Sequence, residues 1–292
     1  MNKTNAAKRV TVISVGYNSV DVLRSMLASL PQGVASVVVD NSPQKDKALE
    51  VLVGQTGTRL ISNAHNNGFG AACNQGAAVA STEFLFFLNP DAALEPGAIE
   101  QLVLAADRRA QASAFLPRVA GSSGRPDIKR RSNLVARSDW MARGWPEDGT
   151  EVSIASGAAL FVRRSAFEAV GGFDPQIFLY HEDDDLTLRL IRECGPIVFV
   201  AGAPVRHIGG GSSVRSPLIA RLKAWHMGRS HVYAARKHGQ RFVFGRALFQ
   251  AVLQLISPLT WFSARKRAKQ IGLLKGVLSA RKDGGAGYKE VQ

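Results

Sequence analysis

Four acids in a row, Glu182-Asp183-Asp184-Asp185, follow Phe178-Leu179-Tyr180-His181 and precede Leu186. Acids in the first turn of a helix complement its macrodipole, and this accounts for one or two of them. Four adjacent carboxylates also repel one another, which raises the proton affinity of some and suits a general base. A second acid, Asp91, stands alone in the loop Asn89-Pro90-Asp91-Ala92, just past the apolar run Phe84 to Leu88. A turn or capping role is open to it. So is a metal role, because Mg2+ bound to phosphates needs only one or two protein carboxylates.

His207 opens the run His207-Ile208-Gly209-Gly210-Gly211-Ser212-Ser213. One reading is a structural histidine beside a flexible turn. The other is an imidazole ligand next to backbone N–H groups, as at Gly210, and hydroxyls, as at Ser212, that can hold a pyrophosphate. The glycine-rich stretch Asn66 to Gly76 has neither the GxGxxG spacing nor a Walker lysine, so it reads as a strand-to-helix turn whose helix packs closely through small residues. Asp40 can accept a hydrogen bond from a pyrimidine N–H and Tyr17 can stack on that base, while turn and core roles stay open to both.

The elements that must position these residues follow from periodicity. Val10 to Val15, Ala35 to Val39, Thr58 to Ser62 and Phe84 to Leu88 are short apolar runs of the kind that form buried strands. Helices are expected from Ser19 to Leu30, Phe69 to Ala80 and about Pro96 to Arg108, with Ser19 as a cap. Near-continuous apolar strands alternating with helices imply a parallel sheet covered on both faces, and ligands of such sheets sit beyond the strand carboxyl ends. Four polar loops would line that edge: Gly16-Tyr17-Asn18, Asp40-Asn41-Ser42, Asn63 to Gly70 and Asn89-Pro90-Asp91. Residues 118–150, rich in Arg, Ser and Gly without a sustained period, read as a mobile insertion. Regular structure resumes with a strand at Gly157 to Val162, helices at Arg164 to Val170 and Asp184 to Glu193, and a strand at Ile197 to Val200.

Charge is unevenly placed. The chain of 292 residues carries 37 Lys and Arg against 23 Asp and Glu, a net charge of +14. Residues 1–214 hold 21 of each sign, so the excess lies in residues 215–292, with 16 basic and 2 acidic side chains. Such a tail attracts phosphates: nucleic acid, anionic lipid or a pyrophosphate-linked substrate. Cys73 and Cys194 are far apart and outside any CxxC spacing, which argues against a disulfide scaffold or a cysteine zinc site and fits a reducing cytoplasm. Polar Met1 to Arg9 leads into the first strand without a signal-peptide pattern. The longest apolar stretch, Phe242 to Phe262, is interrupted by Arg246, Gln250, Gln254 and Pro258, so no membrane span is expected.

In order and spacing the pieces resemble the family 2 glycosyltransferases of the GT-A fold, and within them the bacterial rhamnosyltransferase-like group. The matching segments are Thr11 to Asn18, Val37 to Ser42, Asn66 to Gly76, Phe86 to Ala92, Gly157 to Arg164, Gly171 to Asp174 and Glu182 to Leu186. The resemblance implies an α/β GT-A fold, a mixed, mostly parallel sheet between helices with a basic helical C-terminal extension. Its implied organisation is a catalytic domain over 1–214, with a nucleotide-sugar part about 10–117, the insertion 118–150 and an acceptor and base part 151–214, followed by a basic helical region 215–292.

The resemblance also assigns roles. Asp91 matches the last acid of the DxD metal motif, with Asn89 in place of the first. Asp183 matches the catalytic base, and His207 a histidine that completes a site for Mg2+ or Mn2+. Tyr17 and Asp40 match base-binding positions, and Asn66, Gly70, Asn89, Gly210 and Ser212 fall in the segments that surround the nucleotide sugar. Gly16 stands where Thr or Cys is commoner. The implied reaction is an inverting transfer from a nucleotide sugar, dTDP-L-rhamnose by the subgroup or a UDP-hexose or UDP-N-acetylhexosamine as the alternative. The acceptor would be a glycan or lipid-diphosphate-linked glycan in bacterial cell-surface polysaccharide synthesis.

Two rivals are weaker on the residues. A nucleic-acid-binding module would interleave its charges with stacking aromatics, whereas the tail interleaves them with apolar helix, so no nucleic-acid partner is expected. A nucleotidyltransferase would show a basic glycine-rich loop after the first strand, and Gly16 to Asp21 holds no Lys or Arg. In the tail, Val243, Phe244, Leu248, Val252, Leu255, Ile256, Leu259 and Phe262 recur at steps of three and four beside Arg265-Lys266-Arg267 and Lys269. This pattern suits a helix lying on an anionic membrane surface, which would place the protein peripherally on the inner face of the cytoplasmic membrane, or a helix closing the chain's own core.

Overall fold

The computed structural model describes residues 3–207 and 216–281. Gly210 and Ser212 lie outside these described residues. In chain order the elements are α1 (Lys3–Ala7), β1 (Val10–Gly16), α2 (Val20–Ala28), β2 (Ala35–Asp40), α3 (Lys47–Thr56), β3 (Arg59–Ser62) and α4 (Phe69–Ala78). Next come β4 (Phe84–Leu88), β5 (Ala92–Leu94), α5 (Ala98–Arg108), β6 (Ala114–Gly121), β7 (Glu151–Val152), β8 (Ala159–Arg163), α6 (Arg164–Ala169), α7 (Glu182–Glu193) and β9 (Ile197–His207). The tail holds α8 (Pro217–Lys237), α9 (Val243–Ile256), α10 (Pro258–Trp261) and α11 (Ala264–Ser279).

The strands form one sheet in the order β3-β2-β1-β4-β8-β6-β9-β5, with β7 also pairing β9. Strands β1 to β4 are mutually parallel, and β6 runs parallel to β9. β8 is antiparallel to both β4 and β6, and β5 and β7 are antiparallel to β9. Alternate side chains of β4 feed two cores: Phe84, Phe86 and Leu88 join Leu23, Met26, Leu102 and Phe161 on one face, while Leu85 and Phe87 join Phe167, Phe173, Leu186 and Leu190 on the other. Burial on both faces is what the unbroken apolar run of a central strand requires.

Three local readings change. A short helix, α1, precedes β1 where only a polar lead was expected. Ser19 sits at the start of α2, but its side chain makes no cap bond; its hydroxyl accepts from the Tyr17 N–H instead, which holds the loop rather than the helix. The stretch read as a mobile insertion starts as the second half of β6 and then turns back, with the Gly121 N–H donating to Arg125 O at 2.9 Å and the Asp127 N–H to Val119 O at 2.9 Å. Its aromatic residues are engaged too, Trp140 beneath Arg131 and Trp145 against Phe199.

Close approach between elements is set by glycines. A Cβ on Gly76 would lie 2.5 Å from Ile13 Cγ2, and one on Gly70 2.9 Å from the Phe173 Cβ, so α4 packs directly on β1 and on the loop before α7. Gly16 leaves a Cβ only 3.1 Å from Leu23 and 3.2 Å from the Ser19 hydroxyl, a physical reason for a glycine at that strand end.

Candidate functional site

Register brings the first pair together. Ala92 in β5 pairs with His207 in β9, which sets Asp91 beside the histidine: His207 Nε2 lies 3.1 Å from Asp91 Oδ1. The other ring nitrogen, Nδ1, lies 2.8 Å from Asp127 Oδ2, delivered by the turn after β6. The hydrogen bond to Asp91, and then that to Asp127, outweigh burial and push the imidazole up to about 9.

The acidic run opens α7, and its four members have four different surroundings. Tyr180 and His181, both at positive φ, turn the chain into the helix, a conformation uncommon for residues other than glycine and worth attention beside a site. Burial, with Asp183 adding, pushes Glu182 up to about 8. Asp183 accepts the Gly157 N–H at 3.2 Å and the Lys129 ammonium at 2.8 Å. Asp184 is buried between Lys129 and His181 Nδ1, at 2.8 and 2.9 Å; burial opposes its charge, but these partners hold the carboxyl below the usual range. Asp185 is fully buried and bound to Arg189, His238 and Lys237 at 2.7, 2.9 and 2.8 Å. Burial alone would raise it, yet the hydrogen bonds to His238 and Lys237 and the Arg189 guanidinium bring it to about 2. The expected rise in proton affinity therefore falls on Glu182, and the last two acids go the other way because each is bound by groups that favour its charge.

The two clusters meet. Leu88 pairs with Ala159 across β4 and β8, and the Asn89 N–H donates to Ala158 O at 2.9 Å, next to the Gly157 that binds Asp183. Asp127 and Lys129, two residues apart, touch His207 and Asp183 respectively. Two residues span at most about 7 Å of backbone, so one short segment links the Asp91–His207 pair to Asp183. Asp127, Lys129 and His181 carried no signal of their own: their partners lie far off in sequence or inside a turn, and their own stretch has no period.

Around this centre, Asp40 is buried with Oδ1 accepting the Ser42 N–H at 3.0 Å, and Tyr17 is 43% exposed at the end of β1. Asn66 Oδ1 accepts the Gly68 N–H at 3.0 Å. Gly68 has φ +84°, and a Cβ there would lie 2.4 Å from Phe178 O; the Phe69 N–H donates to that carbonyl at 3.1 Å. The loop before α4 is thereby stitched to the loop before α7. Asn41 adds a bond from its side chain to Gly68 O at 3.1 Å.

Asp91 and His207 offer one oxygen and one nitrogen donor facing each other. That set fits a divalent ion whose remaining ligands are phosphate oxygens and water. Among the described residues no three His, Cys, Asp or Glu gather to hold an ion by themselves.

The family profile described as glycosyl transferase family 2 matches residues 11–171, more than half of the chain. This protein is a family 2 glycosyltransferase. The glycosyltransferase is 28% identical over 260 residues to the N-acetylglucosaminyl-diphospho-decaprenol L-rhamnosyltransferase of Mycobacterium tuberculosis, a match covering 78% of this chain and 84% of that protein. Among solved structures, GalNAc-T7 with UDP, GalNAc and Mn2+ superposes with a TM-score of 0.61 at 15% identity, over 94% of this chain and 56% of that one, so the glycosyltransferase spans little more than half of it. The Pyrobaculum calidifontis mannosyltransferase PcManGT, with GDP-Man and Mn2+, gives 0.53 at 15% identity over 94% and 88% of the two chains. The fold is thus GT-A, as the sequence led one to expect.

Proposed function

We propose that the protein is an inverting, metal-dependent glycosyltransferase that moves L-rhamnose from dTDP-L-rhamnose to a hydroxyl of a glycan or lipid-diphosphate-linked acceptor, in bacterial cell-surface polysaccharide synthesis. The observation that carries this reading is the link between Asp183 and the Asp91–His207 pair through Lys129 and Asp127 of one short segment. The rhamnosyl relative supports the donor and the diphosphate-linked acceptor.

In this reading Asp183 takes the proton of the acceptor hydroxyl, whose oxygen attacks the anomeric carbon from the face opposite the departing nucleoside diphosphate. The configuration inverts and no covalent enzyme intermediate forms. Asp91 and His207 would hold the Mg2+ or Mn2+, which supplies neutralising charge for the diphosphate. Tyr17 and Asp40 bind the base, with Asn66 and Asn89 on the surrounding loops and Gly70 in the first turn of α4. The catalytic unit is read as 1–214 and the helical tail as 215–292.

A panel of nucleotide sugars tests this. dTDP-L-rhamnose should give the largest metal-dependent thermal stabilisation and hydrolysis. A larger response to UDP-glucose or UDP-N-acetylglucosamine would replace the donor, and no response to any nucleotide sugar would overturn the reading.

A further inference from the structure

The tail helix α9 has two apolar faces, and among the described residues only one of them is used by the fold. Val243, Ala247 and Ala251 are buried, and Val243 and Ala247, with Phe244 and Leu248, join Ile177, Val232 and Val277 in a core of their own. On the other side Phe249, Val252, Leu253 and Ile256 are exposed, Phe249 by 67% and Ile256 by 62%. Their spacing, i, i+3, i+4 and i+7, makes one stripe about 100° wide. Phe262, 88% exposed, follows α10 on the same stretch of chain. The apolar residues read from sequence as one face are therefore divided: Val243, Phe244 and Leu248 close the core, while Val252, Ile256 and Phe262 remain outside.

Charge identifies what fits there. Between residues 216 and 281 the sequence has no Asp or Glu. Arg246, Arg265, Lys266 and Lys269 are exposed close in sequence to the apolar stripe. A second copy of this chain seated on the stripe would bring two basic surfaces face to face. Among the described residues no helix is long and apolar enough to cross a membrane. We propose that the outer face of α9, with Phe262 and the basic side chains that begin α11, is a docking surface for an anionic lipid bilayer. The apolar side chains enter the headgroup boundary and the Lys and Arg side chains meet lipid phosphates.

The surface is fixed to the catalytic unit. α8 is bound through Lys237 and His238 to Asp185, two positions along α7 from Asp183, and α11 lies against α8 with Gly276 at Trp225 and Gly272 at Arg221. The bilayer would thus hold the candidate site in one orientation. The proposal does not depend on which sugar is moved.

Flotation of the full chain with phosphatidylcholine vesicles, with and without phosphatidylglycerol, tests it. Recovery with anionic vesicles should exceed that with neutral ones about tenfold or more at low salt and drop at high salt. Phe249→Asp with Ile256→Asp should abolish flotation and leave hydrolysis of the nucleotide sugar intact. Should that pair fail to fold, Phe262→Asp, outside the helices, makes the same test. Arg265→Gln, Lys266→Gln and Lys269→Gln together should weaken binding to anionic vesicles alone. Equal recovery with both vesicles overturns the proposal. So does flotation unchanged in both apolar variants, a dimer in sedimentation that Phe249→Asp dissolves, or displacement from vesicles by an oligonucleotide.

Discussion

Lys129 Nζ lies 2.8 Å from Asp183 Oδ1 and 2.8 Å from Asp184 Oδ1, a single cation shared by the candidate base and its neighbour. Burial works against the ammonium, but the two carboxylates outweigh it and raise its proton affinity above the ordinary lysine range. Lys129 would therefore position the candidate base from a segment whose Asp127 touches His207. Lys129→Met should lower transfer to acceptor about tenfold while leaving the donor Kd within about twofold. A parallel fall in donor binding, read by calorimetry, would place Lys129 in the nucleotide site instead.

Asp183→Asn keeps size and hydrogen bonding but cannot take a proton. Turnover should fall about 100-fold or more with donor affinity preserved. Near-normal turnover would remove Asp183 from the role of base.

Asp91→Ala and His207→Ala should each weaken nucleotide binding when Mn2+ is present and change it little in EDTA. The readout is the metal-dependent part of the nucleotide Kd. Binding indifferent to EDTA and to both substitutions would defeat the metal role.

Acid should loosen the tail first. Burial pushes His226 and His231 down to about 4 each, from an ordinary value of 6.5, so between those pH values the unfolded chain binds protons that the fold refuses. Stability then falls as pH drops from 6.5 to 4. Asp185, held at about 2, adds stability that is complete above its ordinary 3.8 and is lost as pH falls toward 2. Thermal unfolding at pH 7, 5 and 4, as round values across the window set by linkage, should show a midpoint dropping at each step. In His226→Phe, which keeps the stack on Phe178, the first drop should be smaller.

The contact between α8 and α11 is backbone to backbone. A Cβ at residue 276 would lie 2.0 Å from Trp225 O, so Gly276→Ala should destabilise by about 1–3 kcal/mol in urea unfolding. Gly54→Ala, within α3 where a Cβ would meet no other element among the described residues within 4 Å, should instead stabilise by about 0.5–1 kcal/mol.

What could be read from the residues alone follows physical lines. β1, β2 and β4 were legible because strands buried on both faces need unbroken apolar runs, and Asp91 and Asp183 stand as candidates because motif order marks them. The antiparallel entry of β8 between β4 and β6 has no local signature, since a buried strand reads the same in either direction. Asp127 and Lys129 were hidden because their partners lie 80 and 54 residues away. The division of the acidic run was hidden for a related reason: successive helix positions differ by about 100°, so adjacent acids meet different walls of the site, and the cations come from distant segments, Lys129 for Asp183 and Asp184 and, at the end of α8, Lys237 for Asp185.

That last dependence makes the tail a keyed part. Lys237 binds both Asp174 and Asp185, at 2.6 and 2.8 Å, and His238 binds Asp185 as well. Helices grafted from a relative would have to carry matching partners at those two places, or Asp185 would be left in the interior with Arg189 as its remaining ion-pair partner among the described residues. Breaking such a buried arrangement from one side costs about 3–5 kcal/mol. Positions 185, 237 and 238 should therefore change together across relatives, and an exchange of tails that ignores them would disable transfer without altering any atom that touches a sugar.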